Sequence, residues 1–346
     1  MNFIYTLIRV KANQRLDNID FLRAISILFV LFYHYRPFQG GDLFRIGHYG
    51  VLLFFMISGY CIHFSAESSS SWLIFLFKRW IRLLPSLVVV SLIILFFKDI
   101  FREFNLKDHY LISINDVVKT MVNLPMIDMP IKLINKIIGE NYSYYLPDSA
   151  FWSLLIEFQF YFVIAIVLIF PKKWQFYAQL IILGLFTYVQ VCKVIRYNVF
   201  YELAYFYPYF LIGISLAYKN FRRQIVTFFA SLFCIAFMQY FNVYNNSIPF
   251  EIIPTLAVLL LFVFTIYKST AFLLLGRFFS IIGLISYPLY LLHQHLGQKM
   301  LNIMGHYQDP SIFNVLLVIG VLMFVSWSIY EFIEVPIQNK LKSWLK

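Results

Sequence analysis

The chain is 346 residues long, 61% of them hydrophobic and 13% charged, and its formal net charge is +11. Soluble domains average about 45–50% apolar and about 25% charged residues, and their interiors cannot bury such an apolar surplus. The composition therefore excludes a soluble globular domain, and it places the basic charge in loops of a membrane protein rather than on a nucleic-acid-binding face. Three cysteines without paired spacing, Cys61, Cys192 and Cys234, predict neither a disulfide nor a metal site.

Ten apolar stretches are each close to the roughly 20 residues that a helix needs to cross a bilayer. They occupy 19–36, 48–66, 83–101, 149–170, 174–192, 200–218, 224–241, 250–267, 279–297 and 312–333. The first stretch has no small-residue cleavage site, which predicts a retained span rather than a signal peptide. We expect an all-α polytopic protein with about ten transmembrane helices in a single domain, 1–346, and a long outer-face loop at about 102–148.

Lys and Arg are divided unequally between the segments that join these stretches. With a cytoplasmic N-terminus, sixteen fall in inside segments and five in short outside loops, leaving aside Arg23 and the long segment. Cytoplasmic segments of membrane proteins carry the excess of basic residues. Since an even number of crossings returns the chain to its starting side, both termini are predicted to be cytoplasmic.

Two ionisable residues lie inside the first stretch, where a charged group is costly and therefore a candidate for function. Arg23 is near the cytoplasmic end and His34 near the outer end. Eleven residues are about three helical turns, so both project from one face, about 16 Å apart along the axis. The alternatives are an Arg23 that reaches the inner headgroups and a His34 that is an ordinary interfacial or core histidine.

The stretch at 149–170 carries a second set of polar residues, spaced i, i+4 and i+8: Ser153, Glu157 and Tyr161. We expect Glu157 to lie about two turns deep, at a depth similar to that of His34. A carboxylate there would fix the tautomer of the histidine and raise the basicity of its free nitrogen. The alternative is a structural ion pair between Glu157 and another intramembrane base.

Two further pairs of polar residues stand out. Arg79 and Arg82, spaced i, i+3 before the third stretch, can present two guanidinium groups at a helix start, a geometry that suits phosphates; the alternative is ordinary cytoplasmic basic charge. Tyr290 and His293 lie in the outer half of the ninth stretch, where hydrogen bonding between helices is the alternative role. Small residues expected to let helices pack closely are Gly50, Ser58 and Gly59.

In this order along the chain, the motifs resemble the acyltransferase 3 family of membrane proteins, which O-acylate sugars and related acceptors. The matching segments are Ile19–Ala24 with His34, Gly50–Gly59, Arg79 and Arg82 before Leu84-Pro85, Trp152–Tyr161, and Ser286–His293. One departure is Leu52, because many members carry an acidic residue at that position. The resemblance therefore transfers less well to the chemistry of the acceptor site.

The resemblance implies that His34 is catalytic, that Arg23 supports it, and that Arg79 and Arg82 hold the phosphates of acyl-CoA. We accordingly expect an O-acetyltransferase of the bacterial inner membrane. Its donor would be cytoplasmic acetyl-CoA, and its acceptor a hydroxyl of a cell-surface or lipid-linked polysaccharide. His34, oriented by Glu157, would be the general base. Candidates to contact the substrate or the developing oxyanion are Ser153, Tyr161, Tyr290 and His293.

Three alternatives remain open from the sequence. His34 could itself form a covalent acyl intermediate. The chain could be a transporter or flippase of lipid-linked sugars, although it lacks the paired halves with broken helices that many transporters show. It could also be a scaffold in a polysaccharide complex, in which case nothing would depend on His34.

Overall fold

A computed structural model describes residues 14–36, 46–103, 149–192, 201–241, 252–267, 273–304 and 310–344. All regular secondary structure in these ranges is helical, as the sequence predicts. The predicted outer-face loop at 102–148 lies outside the described residues beyond Glu103. The α-helices are α1 Gln14–Tyr35, α2 Tyr49–Glu67, α3 Trp72–Glu103, α4 Trp152–Ile169, α5 Lys172–Val191, α6 Tyr201–Ala217, α7 Phe221–Tyr240, α8 Ile252–Tyr267, α9 Leu273–Leu284, α10 Ser286–Leu292, α11 Gln298–Ile303, α12 Ile312–Ile329 and α13 Val335–Trp344.

Five helical segments of the described chain are long and apolar enough to cross a membrane. They are Ile46–Glu67, Trp72–Phe97, Trp152–Ile169, Phe221–Tyr240 and Ile312–Leu341, and Pro254–Tyr267 is a shorter apolar helix. The structure thus supports a helical, multi-pass membrane protein. The number of about ten spans and the cytoplasmic position of both termini stay predictions.

Helix α3 begins eleven residues before the predicted start of the third apolar stretch at 83. Its first turn is capped by Ser71, whose Oγ accepts a hydrogen bond from the backbone N–H of Ile74 at 3.2 Å. All five residues of Leu73–Phe77 are apolar, so the first turns of the helix already carry an apolar surface that can be buried. Arg79 and Arg82 consequently lie inside a long helix and not at its start, with Arg82 about 15 Å from the first residue.

The predicted ninth stretch, 279–297, is not one continuous helix. Helix α9 ends at Leu284 and α10 begins at Ser286. Pro288 explains the break, because it has no N–H to donate to the carbonyl of Leu284. Helix α10 then passes into a π-helical turn, His293–Gly297, before α11. A second π-helical turn, Tyr330–Glu334, joins α12 to α13.

Helices α1 and α2 run antiparallel and are in close contact. A Cβ added at Gly50 would lie 2.5 Å from the carbonyl oxygen of Ser26, so only glycine permits this approach. The first half of α1 meets the second half of α2, where Nη2 of Arg23 donates to Sγ of Cys61 at 3.6 Å. The predicted packing role of Gly50 is confirmed.

Helices α2 and α6 run parallel. The ring of Phe55 lies 5.1 Å from that of Phe206, and further along the chain in both cases His63 lies 4.9 Å from Tyr218, directly after the end of α6. Helix α4 follows the same direction, since Trp152 near its start contacts Phe206, and Phe160, about two turns later, stacks on Phe210. Parallel α2, α4 and α6 are what alternate crossings of a membrane require.

Helix α1 runs parallel to the α9–α10 segment. Near its start, Asp20 packs on Gly283, where an added Cβ would lie 2.1 Å from the Asp20 carbonyl oxygen. At its end, Tyr35 donates its hydroxyl to the backbone carbonyl of His293 at 2.7 Å. These two contacts bring the last turn of α1 beside the π-turn His293–Gly297.

Candidate active site

A cavity lies between α1, α2, α3, α4 and α10, and together with the open space at its mouth it encloses about 640 Å³. Its lining residues are Arg23, Val51, Phe54, Phe55, Ile57, Ser58, Arg82, Leu83, Ser153, Leu154, Glu157, Ser286, Tyr287 and Tyr290. Five of them are residues that the sequence selects as site candidates: Arg23, Arg82, Ser153, Glu157 and Tyr290. Motifs that are far apart in the sequence therefore meet around one space, which is mostly apolar with a few convergent polar groups.

Glu157 is held by two hydroxyl groups. Its Oε1 accepts a hydrogen bond from Ser58 Oγ at 2.8 Å and another from the hydroxyl of Tyr161, one turn further along α4. The i, i+4 spacing thus places Glu157 and Tyr161 on the same face of α4, as the sequence predicts. Ser58 was expected only to permit close packing, and that interpretation was incomplete, because its hydroxyl binds a buried carboxylate.

Arg82 and Arg79 point their charges at the same part of the bundle. Arg82 lines the cavity, and its electrostatic neighbours include Glu157, Tyr161 and Glu334. Within the described part of the chain its guanidinium makes no hydrogen bond, and the buried Nε of Arg79 likewise has no hydrogen-bond partner there. A buried donor without a partner, such as Nε of Arg79, is unusual, and the half-buried Arg82 faces the cavity. Both groups are therefore able to bind an anionic ligand.

Arg23 turns towards the protein and not towards headgroups. Its Nη1 forms a salt bridge with Asp20 Oδ1 at 2.9 Å, and its side chain lines the cavity. The structure therefore does not support the alternative in which Arg23 reaches the lipid headgroups. Arg23, Arg82 and Glu157 together form the charged end of the cavity.

The other end of the cavity carries hydroxyl groups. The hydroxyls of Ser153 and Tyr290 are 2.8 Å apart, and either can donate to the other. The Tyr290 hydroxyl also donates a hydrogen bond to the backbone carbonyl of Ala150 at 3.2 Å. The Tyr290 ring is 5.1 Å from that of His293, which connects this end to the histidines.

His34 and His293 lie side by side, behind the hydroxyl end of the cavity. Their ring centroids are 4.9 Å apart, with an angle of 57° between the planes. His34 also contacts Tyr33, with centroids 5.0 Å apart. Two histidines selected from motifs almost 260 residues apart are therefore neighbours.

The expected pairing of Glu157 with His34 is wrong. The carboxylate is bound to Ser58 and Tyr161 near Arg82, whereas His34 contacts Tyr33 and His293. The prediction assumed equal depths for the two side chains. Since α2 runs antiparallel to α1, Ser58 lies opposite the first half of α1, and Glu157 is level with Arg23 instead.

Sequence reasoning missed Glu334. This buried carboxylate accepts hydrogen bonds from Ser86 Oγ at 2.8 Å and from Gln338 Nε2 at 2.9 Å, and it is an electrostatic neighbour of Arg82. The sequence carries a signal for it, because this acidic residue directly follows the last predicted apolar stretch, 312–333. Tyr287 belongs to the Ser286–His293 motif, which does not single it out. Its side chain lines the cavity, and its hydroxyl donates to the Leu83 carbonyl at 2.9 Å.

Among the described residues, no group of three or more His, Cys, Asp and Glu side chains is placed to hold a metal ion. No curated protein and no solved structure shows a significant match to the chain. A family model described as an acyltransferase domain matches residues 16–331, a range that includes every predicted site residue and Leu52. The chain belongs to the acyltransferase 3 family, and it is a membrane acyltransferase.

Proposed function

We propose that this acyltransferase moves an acetyl group from cytoplasmic acetyl-CoA to a hydroxyl of a cell-surface or lipid-linked polysaccharide. The observation that carries the proposal is a single cavity with the Arg82 guanidinium, which makes no hydrogen bond to a described residue, at one end and paired histidines behind the other. An O-acyltransferase needs these two features, a holder for an anionic donor and a base near the acceptor. The bacterial inner membrane is the proposed location.

The donor side of the proposal rests on Arg79 and Arg82. A guanidinium offers a planar set of N–H donors that matches phosphate oxygens, and charge-assisted hydrogen bonds of this kind are the strong ones. Glu157 and Glu334 balance the charge of Arg82 without bonding to it. The donor's phosphates would bind these arginines, and its thioester would extend along the cavity towards Tyr290.

The acceptor side rests on His34. Its neutral imidazole would take the proton of the sugar hydroxyl while that oxygen attacks the thioester carbonyl carbon. The C–S bond then breaks, and the CoA thiolate leaves with the proton from His34. The hydroxyl of Tyr290, at the cavity wall, is the candidate donor to the oxyanion of the tetrahedral intermediate.

The test measures the transfer of label from isotopically labelled acetyl-CoA to the host's lipid-linked glycans in membranes that contain the protein. We expect wild type to label the glycan and His34→Ala to lose at least about a hundredfold of the rate, the scale of general-base catalysis. Arg82→Ala should raise the KM for acetyl-CoA at least about tenfold, because it removes charge-assisted hydrogen bonds.

Two matched variants serve as controls. His63→Ala removes a histidine of α2 that contacts Tyr218, and Arg222→Ala removes an exposed arginine of α7. Both should keep the wild-type rate. Equal labelling by wild type and His34→Ala would contradict the role of the base. No labelling by any variant, together with glycan translocation by wild type, would favour the transporter.

A further inference from the structure

The tautomer of His293 follows from its hydrogen bond. Its Nδ1 lies at hydrogen-bond distance from the backbone carbonyl of Tyr290. A carbonyl oxygen only accepts, so Nδ1 carries the proton. The ring is fully buried and has no acidic partner among the described residues, and a charged imidazole is costly there. In a neutral ring with Nδ1 protonated, Nε2 is a hydrogen-bond acceptor.

Among the described residues, the buried Nε2 of His293 has no hydrogen-bond donor. Two polar rings lie beside it: Tyr290, whose hydroxyl is bound to the Ala150 carbonyl, and His34, 4.9 Å away between centroids. The two residues are also fixed relative to each other, since Tyr35, the next residue after His34, donates to the His293 carbonyl at 2.7 Å. At this ring separation, a change in the orientation of the His34 ring would bring its N–H towards Nε2.

We propose that His293 is the positioning residue for His34: its Nε2 accepts the N–H of His34 and leaves the other His34 nitrogen free to take the acceptor's proton. The inference rests on the proposed function, in which His34 is the base. As the hydroxyl proton moves to His34 and the oxygen attacks the thioester, the imidazolium that forms shares its charge with His293. The proton then leaves with the CoA thiolate, and both histidines return to their starting states.

This assignment replaces two sequence-based expectations. Orientation of the base belongs to His293 and not to Glu157, which is bound to Ser58 and Tyr161. His293 is also not a donor to the oxyanion, because its single N–H is bound to the Tyr290 carbonyl. Tyr290 lines the cavity, and it can donate to the oxyanion once its hydroxyl releases the Ala150 carbonyl.

Two substitutions test the roles of the two ring nitrogens of His293 separately. His293→Gln places an amide oxygen near the position of Nε2, so it keeps an acceptor for His34. His293→Asn reaches only the position of Nδ1, so it can still donate to the Tyr290 carbonyl but offers nothing to His34. We expect the Gln variant to keep kcat within about tenfold of wild type and the Asn variant to lose about a hundredfold or more, with the KM for acetyl-CoA unchanged in both. Equal rates for the two variants, whether high or low, would overturn the proposal.

A second measurement does not depend on acyl transfer. In protein labelled with ¹⁵N-histidine and reconstituted in lipid, His293 should show a protonated Nδ1 and an unprotonated Nε2, assigned by comparison with His293→Asn. The Nε2 resonance should shift in His34→Ala, because its hydrogen-bond donor is gone. A protonated Nε2, or a resonance that His34→Ala leaves unchanged, would overturn the proposal. If wild type transfers no acyl group but the shift is present, the proposed function fails while the histidine pair stands.

Discussion

Glu157 balances two guanidinium groups inside an apolar helix bundle. Its carboxylate is fixed by the hydroxyls of Ser58 and Tyr161, and its charge faces Arg79 and Arg82. A buried charge that loses its counter-charge is strongly destabilising, typically by about 3–5 kcal/mol. The carboxylate therefore stabilises the folded bundle in addition to shaping the donor end of the cavity.

We expect Glu157→Gln to lower the melting temperature of the detergent-solubilised protein by several degrees. The amide still accepts from Ser58 but no longer offsets the arginine charge. The double variant Glu157→Gln with Arg82→Gln should recover part of the loss, because the two groups are coupled. Additive effects of the two substitutions would show that Glu157 and Arg82 do not interact.

The residues that line the cavity differ in how well a single sequence can find them. Arg23, Arg82 and Glu157 stand out because each is a charged group near or inside an apolar stretch. Their partners do not stand out, since helical periodicity identifies residues that share a face but not the helix that packs against it. Ser58 shows this limit, because a serine among small residues in a span is equally typical of plain helix packing.

At the scale of the helices, α2 and α6 cross at two glycines. A Cβ at Gly213 would lie 1.9 Å from the carbonyl oxygen of Met56, and a Cβ at Gly59 would lie 2.0 Å from that of Phe210. No side chain fits between the backbones, so the two helices contact each other directly. The expected packing role of Gly59 is confirmed. This crossing fixes the position of α2, which contributes Phe54, Phe55 and Ser58 to the cavity.

Gly213→Ala should therefore push α2 and α6 apart and destabilise the protein by about 1–3 kcal/mol, the usual cost of overpacking. The matched control is Gly184→Ala in α5, where nothing lies within 4 Å of the added Cβ. Alanine is the better helix former by about 1 kcal/mol, so the control should be neutral or slightly stabilising. Melting temperatures of the two variants measure the difference, and similar values would contradict the tight crossing.

At the scale of the whole molecule, the directions of the helices divide the loops between two sides. Parallel α2 and α6 place the turn after α2, at Ser70, on the same side as the turn after α6, at Lys219. Antiparallel α1 and α2 place Arg36 on the opposite side. The distribution of Lys and Arg then predicts that the side of Ser70 and Lys219 is cytoplasmic.

Single cysteines introduced at these exposed positions test that orientation. In a variant without Cys61, Cys192 and Cys234, a membrane-impermeant maleimide applied to intact cells should label Arg36→Cys but neither Ser70→Cys nor Lys219→Cys. All three should react after permeabilisation, which controls for exposure. Labelling of Lys219→Cys in intact cells would reverse the orientation and would put the arginine end of the cavity on the wrong side for cytoplasmic acetyl-CoA.

The wide turn at His293–Gly297 has a consequence for changes in chain length. Loss of one residue from an ordinary α-helix rotates everything after it by about 100°. A π-turn holds one residue more than an α-turn, so loss of one residue here would return the segment to a regular helix and keep α11 and α12 facing their neighbours. The protein could shorten after His293 without losing its fold, because the N–H of His293 is bound to the Leu289 carbonyl as in an ordinary α-helix and keeps this residue at the end of α10. A one-residue gap just after this histidine in a related sequence would therefore mark a chain that folds alike and keeps the histidine pair.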